Sequence, residues 1–507
     1  MVDLQSKELV SPDKADGLPS LRKLDSQQTQ FIQLSEALLG QNTTAQMQLQ
    51  REHRFITVPL RRSATRALKK IVRSLPTPIR TFIRGAFYRT ATLFAPNGDY
   101  AQRYSDYLRA TRSNSLTPAS TDGHLAKLLQ PTNDNGLDIV VFPIIDWHFR
   151  IQRPQHIATE LARAGNRIFY IATTFLPSGK STAFKITESP EENIFLCKLS
   201  CPGPHPIIYS GTLSEAQRVC LTQALDSLLV SAGRRTTVAL VGHAFWCDVA
   251  TSIAGAAVIY DCMDYHAGFS NVSQAILAEE EKLLRHADAI VVSSQMLSDH
   301  VGRIAPNTVI RNAADVEFFS KKPITSTIVK NRPMVGYIGA ISEWFDVELV
   351  AHAASNRPEW EFVLIGSSAG INATTLRKLA NIKLLGELPY NALPDYVHSF
   401  DVCIIPFKLT SLVMHTNPVK IYEYLSAGKP VVATPLPELQ LLEEGLIHLA
   451  VTEEDFLAKL DKAMQERSDL SLQEKRMKWA TAHTWKNRTD AFRSIISACF
   501  TNIGLQQ

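Results

Sequence analysis

Asn417-Pro418-Val419-Lys420-Ile421-Tyr422-Glu423-Tyr424-Leu425-Ser426-Ala427-Gly428-Lys429-Pro430-Val431-Val432 reads as a short helix followed by a buried strand. Asn417 is a favourable N-cap, Pro418 suits the first helical position, and Gly428 falls where a left-handed residue closes a helix. A helix start presents unpaired backbone N–H groups and the positive end of a dipole to an anion, and Lys420 and Glu423 share one face of it. That combination fits a ligand carrying both phosphate and hydroxyls, such as a nucleotide sugar, with Lys420 answering charge and Glu423 accepting hydrogen bonds. An amphipathic helix with a surface ion pair has the same local features, so the flanking sequence decides between the two.

Working outward, the stretch closes a series of short apolar runs alternating with helical patterns. The runs are Pro333–Gly339, Glu361–Gly366, Ile382–Gly386, Asp401–Pro406 and Pro430–Thr434. Glycine closes three of them, at the end of a parallel strand where ligand loops usually gather. Before Lys321–Thr327, which reads as a linker, an earlier series follows the same rule: Asp138–Phe142, a helix from Pro154 to Ala164 ended by Gly165, then Arg167–Ile171. Its further runs are Ile194–Leu199, Thr237–Val241, Ala257–Tyr260, Ala289–Ser293 and Thr308–Asn312. Continuous apolar strands separated by helices imply doubly wound parallel sheets. Two such units on a short linker place a cleft between them.

Composition bounds what these units can be. At 507 residues, with 45% hydrophobic and 20% charged, the chain is a globular protein of about three units at roughly 150 residues each. Net charge is only +4, but residues 53–97 carry ten Lys or Arg and no Asp or Glu, which leaves 43 basic against 49 acidic residues elsewhere. In that segment Ala64, Ala67, Leu68, Ile71, Val72 and Leu75 recur at helical spacing opposite the cations. Such a stripe can lie on an anionic membrane surface, pack on the protein's own body, or bind nucleic acid; the membrane surface is the expectation, and no nucleic-acid partner is. The seven cysteines are scattered and contain no C-x-x-C pair, which argues against a disulfide framework or zinc site and for the cytosol. No apolar run approaches the roughly 18 residues of a spanning helix. Any membrane contact is expected to be peripheral, on the inner face.

Four blocks in order, Val335–Gly339, Leu385–Tyr390, Phe400–Pro406 and Asn417–Val432, resemble the C-terminal half of a GT-B glycosyltransferase. The resemblance is to family 4, the retaining nucleotide-sugar enzymes, and it covers roughly residues 137–500. It implies an α/β chain of two Rossmann-like domains facing a cleft: an acceptor domain at 137–320, a donor domain at 330–485, and a helix at 486–507 crossing back. Residues 1–130 fall outside it as a mostly helical or partly disordered extension. Glu423 matches the second glutamate of the family's Glu-x7-Glu motif, which holds the ribose hydroxyls; the first falls on His415. By the same similarity, Thr416 and Asn417 lie near the donor sugar, Gly339 near the diphosphate, and the turn through Gly386 and Leu388 at the nucleobase.

A second departure concerns charge. Many members carry an Arg and a Lys after the first donor-domain strand, whereas this chain has Ala340–Asp346 there with no cation. Lys420, a helix N-terminus behind Gly339, and Arg150 or Arg153 are the candidates to replace them. The two arginines lie in Trp147-His148-Phe149-Arg150-Ile151-Gln152-Arg153-Pro154-Gln155, which resembles a Trp-x-x-Arg-x-Gln-Arg-Pro-Gln segment of bacterial surface-polysaccharide glycosyltransferases. Trp147 joins them as a phosphate or acceptor candidate. His243, Asp264 and His266, in loops after two acceptor-domain strands, are the catalytic or acceptor candidates. The resemblance implies transfer from a nucleotide-sugar co-substrate to a glycan or lipid-linked acceptor in surface-polysaccharide synthesis. No Asp-x-Asp is present, so the sequence requires no metal, and no other cofactor is expected. A non-catalytic nucleotide-sugar-binding protein and a GT-B nucleotide-sugar epimerase are the alternatives.

Overall fold

The computed structural model describes residues 129, 136–177, 183–323, 328–368 and 371–502. All of these belong to one compact unit, Arg112–Gln507. Apart from Leu129, the extension expected over residues 1–130, with its basic segment at 53–97, lies outside the described residues.

Two sheets organise the described chain. The first holds β1 (Asp138–Phe142), β2 (Arg167–Ile171), β3 (Leu176–Pro177), β4 (Phe184–Glu188), β5 (Ile194–Cys201), β6 (Thr237–Val241), β7 (Ala257–Cys262), β8 (Ala289–Val292) and β9 (Thr308–Val309). Its order is β3-β5-β2-β1-β6-β7-β8-β9, with β4 off that path and antiparallel to β5. Every residue of β1 is buried, because helices cover both faces. Ile139 and Val141 enter a core with Ile157 and Leu161 of the helix Arg153–Arg163, while Val140 and Phe142 enter another with Leu221 and Leu225 of the helix Glu215–Ser231. The period-two alternation of a strand thus feeds two separate cores. At the foot of the sheet Arg167 Nε donates to Asp138 Oδ1 at 2.8 Å, both side chains buried.

The second sheet holds β10 (Met334–Ile338), β11 (Glu361–Ile365), β12 (Ile382–Gly386), β13 (Val402–Ile405), β14 (Val431–Ala433) and β15 (His448–Leu449), in the order β12-β11-β10-β13-β14-β15. All its pairings are parallel. Gly336 in the middle of β10 leaves room for Phe400, whose ring a Cβ there would meet at 2.1 Å.

The last helix, Trp485–Asn502, follows the second sheet in sequence yet packs into the first domain. Phe492, Ile496, Cys499 and Phe500 share a core with Ile139 and Val141. Burying each large apolar side chain contributes about 1.5–3 kcal/mol, so the helix ties the two domains together.

Two local expectations are corrected. The run Thr308–Asn312 pairs only over Thr308–Val309, because the Asn312 N–H donates instead to Asn417 Oδ1 at 2.9 Å, which turns the chain toward the second domain. The helix expected to be capped by Asn417 spans Val419–Ser426 with Pro418 as its N-cap, one residue later than the sequence implied. Gly428 does take the left-handed conformation, φ 70°.

Candidate functional site

A cavity of about 660 Å³ opens between the carboxyl ends of the two sheets. The first domain supplies the loop from β1 to the helix Arg153–Arg163 and the loop after β7, which brings half-buried Asp264. The second domain supplies the loops after β10, β11 and β12 and the start of the helix Val419–Ser426. Gly339 and Gly366, at φ 153° and 144°, bring two of these loops into contact; a Cβ on Gly366 would lie 1.8 Å from the Gly339 carbonyl oxygen. Backbone therefore forms this wall, and a side chain would close it.

At the helix start, Glu423 is 4% exposed and faces the cavity with Lys420, whose Nζ donates to Glu423 Oε2 at 3.1 Å. No side chain caps this helix. Its first N–H groups, the Lys420 cation and a carboxylate are thus collected on one wall, which offers donors to an anion and an acceptor to hydroxyl groups.

Residues 332–466 match the sequence model of the family described as Glycosyl transferases group 1. That match lies wholly within the second domain and takes in all six strands of its sheet, β10 to β15. A putative teichuronic acid biosynthesis glycosyltransferase of Bacillus subtilis, TuaH, is 30% identical over 253 residues, covering 45% of this chain and 64% of that protein. The chain thus spans less than two thirds of the curated relative it matches. Among solved structures, the sucrose-phosphate synthase of Thermosynechococcus elongatus superposes with a TM-score of 0.56 at 14% identity, over 73% of this chain and 100% of that one. A glycosyltransferase from Rickettsia africae gives 0.55 at 14% identity, over 73% of this chain and 100% of its own. Anabaena HepE, solved in complex with UDP-glucose, gives 0.53 at 13% identity over 71% of this chain and 100% of that one. At these identities the likeness establishes the two-domain GT-B fold.

Within the cleft the two arginines separate. Arg153 is 3% exposed and forks onto Asp261, with Nη2 to Oδ1 at 2.8 Å and Nε to Oδ2 at 2.9 Å, while Nη1 donates to the Ile310 carbonyl at 2.9 Å and to Asn312 Oδ1 at 3.2 Å. Its donors are spent on holding the chain before the linker. Arg150 instead reaches across the cleft to Glu387 in the loop after β12, Nε to Oε1 at 2.6 Å. Trp147 lies off the cavity wall, buried edge-on against Tyr170 at 5.1 Å. The helix N-terminus behind Gly339 begins only at Val347 and is already occupied, since Asp346 Oδ1 accepts from the Leu349 N–H at 3.1 Å.

Of the donor positions read from the sequence, Gly339, Leu388, Thr416, Asn417, Lys420 and Glu423 line the cavity, whereas Gly386 and His415 do not. Gly386, at φ 73°, shapes the turn that delivers Glu387 and Leu388. His415 stacks its ring on Tyr265 at 4.3 Å and uses Nδ1 on the Ser411 carbonyl at 2.7 Å, which draws the imidazole toward the first domain's loop. Asn417 is committed too: Oδ1 accepts from Tyr422 Oη at 3.1 Å, and Nδ2 donates to Glu438 Oε2 at 3.0 Å.

Of the three catalytic candidates, Asp264 alone reaches the cavity. Burial raises its pKa, opposed by His266 and Arg153. His266 is 4% exposed; burial works against its charge, but the Glu280 carboxylate, 2.7 Å from Nδ1, and Asp264 outweigh it and raise the pKa. His243 is fully buried beside it, ring centroids 5.1 Å apart, and burial followed by the His266 charge lowers its pKa to about 3. Its Nδ1 accepts from the Phe245 N–H at 3.3 Å, and Nε2 has no hydrogen-bond partner among the described residues. His243 therefore binds no proton in the folded state above about pH 3 but binds one in the unfolded chain below the ordinary value of 6.5. Its contribution is fully present above that value and lost on acidification, so chemical denaturation should show His243→Phe losing about 1.4 kcal/mol less stability per pH unit below pH 6.5 than the parent.

Two further residues, His156 and Tyr390, line the cavity outside the set of candidates read from the sequence. His156 Nε2 lies 3.5 Å from Tyr390 Oη, and its ring stacks on Trp485 at 5.0 Å. Burial, then the nearby charge of Lys420, lowers its pKa to about 3, so a neutral imidazole faces the cavity. Cys247, Asp248 and Glu279 bring ligand atoms within 4.8 Å of one another. None of the three lines the cleft, and Lys282 already pairs with both carboxylates.

Proposed function

We propose that the chain is a retaining, metal-independent glycosyltransferase that moves a sugar from a nucleotide-sugar donor to a glycan or lipid-linked acceptor in surface-polysaccharide synthesis. The observation carrying this reading is the placement of Glu423 and Lys420, at an uncapped helix start, on one wall of a cleft whose other wall is the first domain. The assignment of TuaH to teichuronic acid biosynthesis supports the acceptor class, and the UDP-glucose in the HepE complex supports the donor class.

Breaking the bond from the anomeric carbon to phosphate builds positive charge on the sugar and negative charge on the departing nucleoside diphosphate. The cleft answers the second with fixed donors: the first N–H groups of the Val419–Ser426 helix and the Lys420 ammonium, while the bare backbone at Gly339 leaves room for the diphosphate. Glu423 accepts from the ribose hydroxyls, and its present partner Lys420 is freed to turn toward phosphate. The acceptor hydroxyl attacks from the face the diphosphate leaves, a phosphate oxygen takes its proton, and configuration is retained. Asp264, on the acceptor side, orients the incoming hydroxyl. Closure of the two domains excludes water and protects the donor from hydrolysis.

Peripheral attachment to the inner face of the membrane through residues 53–97 belongs to the same proposal, carried by their ten cations and absence of acidic residues. No helix among the described residues is long and apolar enough to cross a membrane. The cation-free loop Ala340–Asp346 favours a second reading, a nucleotide-sugar-binding protein without turnover. Release of nucleoside diphosphate from a nucleotide sugar by the full chain separates the two: the transferase releases it, and the binding protein does not.

A further inference from the structure

Among the described residues the cleft wall carries three lysines or arginines, Arg150, Arg153 and Lys420. Arg153 has given its donors to Asp261, Ile310 and Asn312, and its side chain is 3% exposed. Lys420 supplies one charge, shared with Glu423 at 3.1 Å. A nucleoside diphosphate brings two to three negative charges at neutral pH, and the loop Ala340–Asp346 offers no cation to meet them. Arg150 is the remaining strong donor. Its side chain is 33% exposed, its guanidinium lies 4.8 Å over the Phe149 ring, and its partner Glu387 is 47% exposed on the opposite domain.

Glu387 directly follows Gly386, in the same turn whose Leu388 lines the cavity. An ion pair as exposed as this contributes at most about 1 kcal/mol, whereas a guanidinium on phosphate makes charge-assisted, bidentate bonds. Exchanging one partner for the other is therefore favourable whenever a diphosphate enters.

We propose that Arg150 is the diphosphate-binding cation of this cleft and that Glu387 is its resting counter-ion, so that donor binding transfers Arg150 from Glu387 to phosphate. The exchange rests on the nucleotide-sugar reading above. It assigns to the first domain the charge that many relatives place behind the first strand of the second. It also makes nucleotide recognition depend on the two domains facing each other, because a donor held by the second domain alone lacks its second cation.

Calorimetric titration of the full chain with UDP, ADP, GDP and dTDP, together with the corresponding nucleosides, tests this. For whichever diphosphate binds the parent most tightly, Arg150→Gln should weaken affinity by about 10–100-fold and leave the nucleoside within about twofold. Glu387→Gln should tighten the diphosphate by about two- to fivefold, since a competing carboxylate is removed, and should add nothing in the Arg150→Gln background. Arg150→Lys should recover part of the loss, and melting temperatures should stay at the parent value because both side chains are solvent-accessible. Unchanged diphosphate affinity in Arg150→Gln, or weaker affinity in Glu387→Gln, would overturn the exchange while leaving the donor site standing. If no diphosphate binds the parent, the donor reading itself fails and the exchange goes with it.

Discussion

Replacing Glu423 by Ala should lower the rate of nucleoside diphosphate release, as kcat/KM for the nucleotide sugar, by a hundredfold or more. The size follows from the role proposed for the carboxylate, which is to accept from two adjacent ribose hydroxyls at once, each hydrogen bond to a charged group being worth about 1.5–3 kcal/mol. Glu423 is almost wholly buried, so solvent does little to weaken those bonds. A second effect adds to the first, because Lys420 loses its 3.1 Å partner and is free to settle elsewhere. Glu423→Gln, which keeps the shape and one acceptor, should fall between the two. A rate for Glu423→Ala within about threefold of the parent would remove Glu423 from the donor site.

Arg153→Leu should destabilise the chain by about 3–5 kcal/mol, because it leaves Asp261 buried and charged without its guanidinium. The Ile310 carbonyl and Asn312 Oδ1 lose a donor in the same step. Asn312 in turn holds the second domain, donating its Nδ2 to the Asn417 carbonyl at 2.6 Å and its backbone N–H to Asn417 Oδ1. Equilibrium denaturation reads the loss directly, and Arg150→Leu in the same assay should change stability by less than about 1 kcal/mol. The contrast separates two arginines of one short loop by role. A stable Arg153→Leu protein with lost nucleotide affinity would instead place Arg153 on the phosphate.

How far the sequence could be read depended on whether a residue's role is set locally or across the fold. Ile139–Phe142 and Met334–Ile338 are continuous apolar runs because helices cover both faces of each sheet, and that requirement is written in the run itself. Gly339 and Gly366 were visible as strand-closing glycines, since a positive φ leaves few other choices. Arg150 and Arg153 could not be told apart, because their difference lies in Asp261 and Glu387, more than a hundred residues away in each case. Asn417 looked like a cap for the same reason: its side chain suits that role locally, but Asn312, Tyr422 and Glu438 claim every polar atom of it. His156 carried no pattern at all, as its place in the cavity follows from Trp485 and Tyr390 arriving from distant parts of the chain. The antiparallel β4 was missed because its side chains are mostly half-buried, without the apolar run that marked the other strands.

Binding of an activated sugar between the two sheets, against Glu423 and Lys420, is read by a thermal-shift titration of the full chain and its Glu423→Ala variant with UDP-, GDP-, ADP- and dTDP-sugars. At a hundredfold excess over Kd a ligand adds about 2.7 kcal/mol, a shift of several degrees. At least one nucleotide sugar should raise the melting temperature of the parent by that amount, and Glu423→Ala should lose the shift; no shift with any of them, or one that survives in Glu423→Ala, would rule out this binding site.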